Sequence, residues 1–263
     1  MFKVKKKWIL LCVIAFVLLL NYQTETFPVN WRNNSVSSDL KVLCYNVRSL
    51  DSLYSQNQLG IAEIILKENP DIVFLCEFYL KRNKKLDSLL TKEYRRYYKS
   101  GTICVFYSKY EMDSIMEVFP SRYKRRHSQT VKTHVFRGKD TLTLIGCHLS
   151  SSHHHIKKGY LRRRKQADTL YEHIRNEHYP VIVLGDLNDI PGSYTLNKIM
   201  KAGLSNAWWE GGCGYGTTFH DGWLRLRLDH ILYPKEKLEL QSIKIIDSDL
   251  SDHNALVAGF NVN

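Results

Sequence analysis

Long apolar runs are almost absent from this sequence. Only residues 8–20, WILLCVIAFVLLL, form one, and the mean hydropathy is −0.32, which excludes a multispanning membrane protein. Paired cysteine spacing is absent as well. Beyond the apolar run lie Cys44, Cys76, Cys104, Cys147 and Cys213, an odd number without a close pair, so neither a disulfide framework nor a zinc site is indicated. Four of the five sit in strand-like apolar runs and read as small buried hydrophobes, which leaves the redox compartment open. No internal repeat and no interdomain linker divides the chain. Acidic residues are in deficit: 38 Lys and Arg face 26 Asp and Glu, a formal net charge of +12 at pH 7. Such a balance favours anionic partners, namely nucleic acid, phosphorylated small molecules or anionic lipid. With 44% hydrophobic and 24% charged residues, intrinsic disorder and coiled coil fail as global descriptions. The 263 residues suffice for one large α/β or sandwich domain.

Lys3, Lys5, Lys6 and Lys7 precede the apolar run and no acid does, which keeps the N-terminus cytoplasmic by the positive-inside bias. The run suits a secretory h-region better than a full span of roughly 17–25 residues. No small-x-small cleavage signal follows it, and Leu11 before Cys12 argues against a lipoprotein signal. Residues 1–21 therefore read as a signal anchor, or as a signal peptide if the segment is cleaved. Residues 22–38 form a polar tether, and residues 39–263 form a single α/β domain. The domain is expected outside the cytoplasm, held to the membrane through residues 8–20 or secreted after cleavage.

Apolar runs then alternate with helical patterns. LKVLCYNV (40–47), DIVFLCE (71–77), TICVFYS (102–108), TLTLIGCH (141–148), PVIVLGD (180–186), LDHILYP (228–234) and ALVAGFNV (255–262) read as strands. QLGIAEIILKEN places apolar residues 59, 62, 65 and 66 on one helical face before Pro70. A helix over roughly 157–177 turns Leu161, Leu170, Tyr171 and Ile174 inward by its period. Ser193 is placed to cap a short helix containing Leu196, Ile199 and Met200.

Polar residues of catalytic type stand at the C-terminal ends of the apolar strands: Asn46, Glu77, His148, then Asp186 with Asn188. Ligand sites in sheet proteins collect at such ends. Asp229 and the pair Asp252–His253 follow later. Any one carboxylate after a strand is ordinarily a turn residue or a helix cap; the repetition of the pattern is what points to a site.

LKVLCYNVRSL, NPDIVFLCE, SGTICVFYSKY, IGCHLSS, RRKQAD, PVIVLGDLNDIPGS, TTFHDGWLRLRLDHIL and SDHNALVAGF stand in the order used by the endonuclease/exonuclease/phosphatase superfamily. From about residue 40 to its end the chain resembles that family, which includes the pancreatic-type deoxyribonucleases and exonuclease III. The combination of GDLND, RLDHIL and SDH is specific where each alone is weak. The resemblance implies an α/β fold, a four-layered α/β sandwich with two mixed β-sheets flanked by helices. It also implies divalent-metal-dependent hydrolysis of phosphate esters.

The chemistry fits on its own terms. A phosphodiester is anionic and resists attack, so its hydrolysis needs charge neutralisation and a positioned water, and general-base catalysis alone supplies only about 10²–10⁴-fold. Glu77, a carboxylate after an apolar strand with no basic neighbour beside it, is the best ligand for a hard metal ion. By resemblance Asn46 and Asp252 lie beside the same ion. Oxygen ligands suit Mg²⁺, with Mn²⁺ or Ca²⁺ as substitutes. The resemblance further implies that His253 is the base or electrostatic partner of the attacking water and that Asp229 holds it. Asp186 orients or activates the nucleophile, Asn188 holds a phosphoryl oxygen, and both are candidates for a second metal. His148 donates to a non-bridging oxygen or assists the leaving group. Three positions depart from the family pattern: Cys76 replaces a usual glutamine, Asn206 a usual aspartate, and SKYEM lacks a usual proline.

Two basic clusters, SRYKRRH (121–127) and HHHIKKGYLRRRK (153–165), bear on substrate. Arg162, Arg163 and Arg164 of the second follow His148 and are expected to rim the site. Cations interleaved with Tyr123 and Tyr160 suit a nucleic-acid backbone with stacking, and equally an inositol phosphate or anionic headgroup. The leading expectation is an extracytoplasmic endonuclease or exonuclease acting as a monomer without a protein partner. A phosphoinositide, sphingomyelin or other small-molecule phosphodiesterase or phosphatase is the alternative. A non-catalytic binding module is a third.

Overall fold

The computed structural model describes Pro28 and residues 37–49, 56–119, 129–152 and 155–263. The apolar run 8–20, the tether through residue 36 apart from Pro28, the cluster 121–127, and His153 and His154 lie outside the described residues. Among the described residues no helix is long and apolar enough to cross a membrane.

In chain order the first elements are β1 (Leu40–Asn46), α1 (Gln58–Glu68), β2 (Ile72–Cys76), α2 (Lys84–Leu90), β3 (Arg95–Tyr98) and β4 (Val105–Ser108). Then come β5 (Glu111–Met112), β6 (Met116–Glu117), β7 (Gln129–Arg137), β8 (Asp140–His148), α3 (Ile156–Arg175) and β9 (Val181–Asp186). The chain continues through α4 (Tyr194–Met200), β10 (Ser205–Asn206), α5 (Ala207–Gly211), β11 (Phe219–Asp221) and β12 (Leu224–Leu226). It closes with β13 (Asp229–Tyr233), β14 (Leu238–Ile246) and β15 (Ala255–Val262).

One sheet has the order β14-β15-β1-β2-β4-β3 and the other β10-β13-β9-β8-β7-β5, with β6 also on β7. Both are mixed: β1 runs parallel to β2 and β8 parallel to β9, while their other neighbours are antiparallel. Apolar residues of both sheets, among them Val42, Phe74, Phe106, Leu184, Ile231 and Phe260, form the core between them. The outer face of the first sheet packs with Ile61, Ile65, Leu86 and Leu90 of α1 and α2. That of the second packs with Ala167, Leu170, Ile174, Leu196 and Ile199 of α3 and α4. Helix, sheet, sheet and helix thus make four layers. Central strands buried on both faces lose alternation, which is why they read as continuous apolar runs. Cys44, Cys76 and Cys147 lie in these strands and Cys104 directly before β4; all four are free and buried, and burial pushes their thiols up, that of Cys147 to about 12.

The sheets approach closely near the ends of β8 and β9. A Cβ at Gly146 would lie 2.1 Å from the Phe74 ring, and one at Gly185 would lie 2.3 Å from the Cys147 carbonyl oxygen. Gly185 also has φ +120°, a conformation that side chains disfavour. Phe74 therefore fills space that only glycine leaves beneath Asp186.

The inner face of α3 differs from expectation. Gly159, Arg163, Ala167, Leu170 and Ile174 are buried, whereas Leu161 is exposed. The fourth-residue spacing from 159 to 167 carries a cation inward, and Leu161 lies off that stripe. Ser193 caps α4, accepting from the Leu196 amide at 3.3 Å.

Candidate active site

Three neighbouring strands of the second sheet deliver the centre of the site by register. His148 at the end of β8 lies opposite Asp186 at the end of β9, and Asp186 lies opposite Asp229 at the start of β13. From the facing sheet, β1 and β2 end in register at Asn46 and Cys76, with Glu77 next. The loop before β15 adds Asp252 and His253.

The side chains meet. Asn46 Nδ2 donates to Glu77 Oε1 at 3.2 Å and to Asp186 Oδ2 at 3.1 Å, so one amide joins carboxylates from both sheets. His148 Nε2 lies 3.3 Å from Glu77 Oε1 and 3.7 Å from Asp186 Oδ2. His253 Nδ1 donates to Asp229 Oδ2 at 2.7 Å, and its Nε2 lies 3.8 Å from Asp186 Oδ2. Asn188 donates from its backbone to Asp186 Oδ1 at 2.7 Å and from Nδ2 to Asp186 Oδ2 at 3.1 Å. Asp252 pairs with Arg48. The structure therefore brings Asn46, Glu77, His148, Asp186, Asn188, Asp229, Asp252 and His253 to one place. Glu77 and Asn188 are half-buried, with the others beneath them.

Two of these residues hold strained backbone. Glu77 and Asn188 both have φ +51°, which costs of order 1–3 kcal/mol for a residue other than glycine. Around Glu77 the conformation is fixed by Ser49, whose amide at 3.1 Å and Oγ at 2.5 Å both donate to the Glu77 carbonyl. Around Asn188 it is fixed by the two bonds to Asp186 and by Nδ2 donating to the Leu149 carbonyl at 2.9 Å.

Charge is distributed unevenly. Burial alone would raise Glu77, but the hydrogen bond and charge of His148 outweigh it, aided by Asn46, and hold the carboxyl near about 2. Burial pushes Asp186 up to about 6, against the pull of His253. Burial would lower His253, yet Asp229 and Asp186 overcome it and raise the imidazole to about 10. His148 is raised by Glu77 in the same way. His253 is thus cationic at neutral pH, His148 is biased toward its charged form, and Asp186 is pushed up toward neutrality.

A hard cation fits this arrangement. Glu77 and Asp186 oxygens converge on a single neutral donor, and Asp229 Oδ1 is buried with no partner among the described residues. Asp186, Asp229 and His253 also offer ligand atoms within 4.8 Å of one another. Of these, His253 Nδ1 is already committed to Asp229, so the pair behaves as an ion pair and the oxygens are the better donors.

Several contributors carry no strong signal in the sequence. Ser251 Oγ donates to the Asn46 carbonyl at 2.8 Å, and Thr218 Oγ1 accepts from the amides of Leu228 and Asp229, each at 2.9 Å. Arg48, two residues after Asn46, neutralises Asp252. The glutamine replaced by Cys76 is not needed to hold Glu77, because Asn46 and His148 do so. Asn206 accepts from the Trp208 amide and its Nδ2 meets His230 Nδ1 at 3.2 Å, while His230 Nε2 donates to the Asp189 carbonyl at 3.1 Å. Burial lowers His230 to about 4, so it is neutral, and a neutral amide suits it.

The basic run of α3 is not a uniform rim. Arg163 is buried: Nε donates to Asp189 Oδ2 at 3.1 Å, and a terminal nitrogen donates to the Ser150 carbonyl and Ser152 Oγ, each at 2.8 Å. The sequence reading put it at the rim of the site; the structure instead buries it, where it ties α3 to the loops that follow His148 and Asn188. Arg164 lies over the Tyr194 ring at 4.4 Å, and Arg162 is half-buried. Arg163→Ala is expected to lower unfolding free energy by about 3–5 kcal/mol, because it strands a buried carboxylate. Arg162→Ala should stay within about 0.5 kcal/mol. Denaturant titration of both variants checks the difference.

Solved structures of known proteins share this fold. D. rerio TDP2 complexed with a single-strand DNA product has a TM-score of 0.72 at 19% identity, over 85% of this chain and 99% of that one. The 3′ phosphatase NExo from Neisseria, bound to a product DNA hairpin, has a TM-score of 0.67 at 16% identity, over 84% and 99%. The human Nocturnin catalytic domain with a bound sulfate anion has a TM-score of 0.68 at 16% identity, over 89% and 96%. At these identities the likeness is one of fold. No curated protein matches the sequence significantly. The profile of the Endonuclease/Exonuclease/phosphatase family, however, matches residues 43–253, from the middle of β1 to His253. That match takes in most of the chain, and the chain accordingly belongs to this family of metal-dependent hydrolases of phosphate ester bonds.

Proposed function

We propose that this chain is a Mg²⁺-dependent nuclease acting outside the cytoplasm. The observation that carries the reaction is the register row His148, Asp186, Asp229, which sets a carboxylate of raised pKa between the His148 imidazole and the Asp229-bound His253 imidazolium, with Glu77 opposite. Asn46, Glu77 and Asp252 would hold the cation, with Asp186 and Asn188 at hand for a second. A cation held by these residues would supply charge neutralisation for the phosphate and for the leaving oxygen. Asp186 accepts the proton of the attacking water, and Asn188 fixes its carboxylate through two hydrogen bonds. His253, as an imidazolium, and His148 donate to the phosphoryl oxygens as charge builds. Asp229 keeps His253 charged and oriented.

Nucleic acid is favoured over lipid by two observations. The chain is strongly basic, and two proteins of the same fold carry DNA products. Cleavage should fall steeply with salt, since each contacted phosphate adds to the slope. The decisive experiment is a panel of duplex DNA, abasic DNA, RNA, phosphoinositide and sphingomyelin, with and without EDTA, and with Mn²⁺ and Ca²⁺ replacing Mg²⁺. Sphingomyelin or phosphoinositide turnover far above nuclease turnover would replace nucleic acid by lipid as the substrate.

Residues 8–20 with the four preceding lysines support a membrane anchor and a domain outside the cytoplasm. A periplasmic-type reporter fused after Asn263 should be active. Activity only of a cytoplasmic reporter would reverse the orientation.

A further inference from the structure

β11 and β12 form a two-stranded hairpin that belongs to neither sheet. Asp221 pairs with Leu224, so the loop is Gly222 and Trp223 alone. Gly222 has φ +55° and Trp223 has no positive φ, the glycine-first pattern of a tight type II′ hairpin. At its tip Trp223 is 91% exposed. Tryptophan carries one of the largest apolar surfaces of any residue and is ordinarily well covered.

The root of this hairpin is fastened to the site. Phe219 makes an antiparallel bridge with His253, and the two rings meet edge-on with centroids 5.1 Å apart. The His220 amide donates to the Asp252 carbonyl at 2.8 Å, and the Thr218 amide donates to the Leu226 carbonyl at 2.9 Å. Trp223 is four residues after Phe219, so even fully extended chain would put the tip at most ~13 Å from the His253 neighbour. A polymer whose phosphate is held at the centre can reach across a gap of up to that length.

We infer that Trp223 is a stacking platform for a nucleobase flanking the cleaved phosphodiester. The inference rests on the nuclease reading above and adds a subsite to it. An indole has only two rotatable side-chain bonds, so it stacks at low entropic cost, and base stacking on aromatic side chains is indifferent to sequence. Arg225 donates to the carbonyls of Gly222 at 3.0 Å and Leu224 at 3.2 Å, which fixes a cation at the same loop for an adjoining phosphate. Insertion into lipid fits the tip less well. Membrane binding scales with buried apolar area, and here one ring stands beside the exposed Asp221 carboxylate and Gly222.

The test uses the full chain, with Trp223→Ala and Trp223→Phe. Specificity constants are measured for a single-stranded oligonucleotide, for methyl p-nitrophenyl phosphate and for sphingomyelin in mixed micelles. Oligonucleotide binding is followed in EDTA by fluorescence anisotropy, and folding by thermal unfolding. Trp223→Ala should lower the oligonucleotide-to-small-diester ratio about tenfold and weaken binding by a similar factor. Trp223→Phe should restore most of both. A ratio and an affinity within twofold of wild type in Trp223→Ala, with wild type cutting the oligonucleotide, overturn this inference and leave the nuclease reading standing. Loss of sphingomyelin turnover alone reassigns the ring to lipid. Wild-type protein that turns over the small diester yet neither cuts nor binds the oligonucleotide overturns both.

Discussion

Glu77→Gln should fold normally and lose about 10²–10³-fold or more in kcat, the scale of removing a group that stabilises transition-state charge. The two side chains are nearly the same size. The backbone at 77 is held by Ser49 through the Glu77 carbonyl, which the substitution leaves intact. What changes is charge. In the native protein His148 and Asn46 keep this carboxyl ionised down to about 2, so at neutral pH it always presents a full negative charge. An amide oxygen binds a hard cation far more weakly, and the substitution takes the negative charge away from His148 Nε2, which lies 3.3 Å from Glu77 Oε1. The loss should therefore be greatest at limiting Mg²⁺ and only partly recovered at high Mg²⁺. Thermal unfolding should show a fold still intact. Wild-type turnover in Glu77→Gln at limiting Mg²⁺ would remove Glu77 from the metal site.

Much of this architecture was legible because the central strands are buried on both faces. DIVFLCE, TLTLIGCH and PVIVLGD cannot be mistaken for amphipathic helices over so short a length, and each ends in a polar residue that the fold turns into the site. The edges were not legible. β3 is RRYY, half exposed, and β14 alternates as LELQSIKII with a register shift between Leu240 and Ser242. Their apolar content is diluted by solvent-facing residues, so no run stands out. Register was beyond reach for a different reason. Asp186 sits between His148 and Asp229 only because β9 pairs parallel with β8 and antiparallel with β13, a long-range fact with no local trace. The buried Arg163 was hidden inside a run of charges that ordinarily faces water. Its partners Asp189, Ser150 and Ser152, in the loops after β9 and β8, show why it turns inward.

His253→Ala and Asp229→Ala should be strongly non-additive. Each single change should cost orders of magnitude in kcat, and the double variant should be little worse than the worse single, as for residues that act as one unit. The geometry makes them one unit: the 2.7 Å bond from His253 Nδ1 to Asp229 Oδ2 fixes the ring, and Thr218 fixes Asp229 by accepting from two successive amides. The pH profile separates this from a merely structural loss. Wild-type activity should rise through about pH 6 as Asp186 gives up its proton and becomes able to accept one from water. It should fall toward pH 10 as His253 loses the charge it needs as a donor. Removing Asp229 takes away the carboxylate that most raises His253, so the imidazole deprotonates at lower pH and the alkaline limb moves down. The same change removes a like charge beside Asp186, so its proton leaves more easily and the acid limb also moves down. Both limbs of residual Asp229→Ala activity should thus shift toward acid, whereas a loosened fold would lower the rate without moving them together. A double-variant loss equal to the product of the singles, with both limbs unmoved in Asp229→Ala, would show that the two residues act separately.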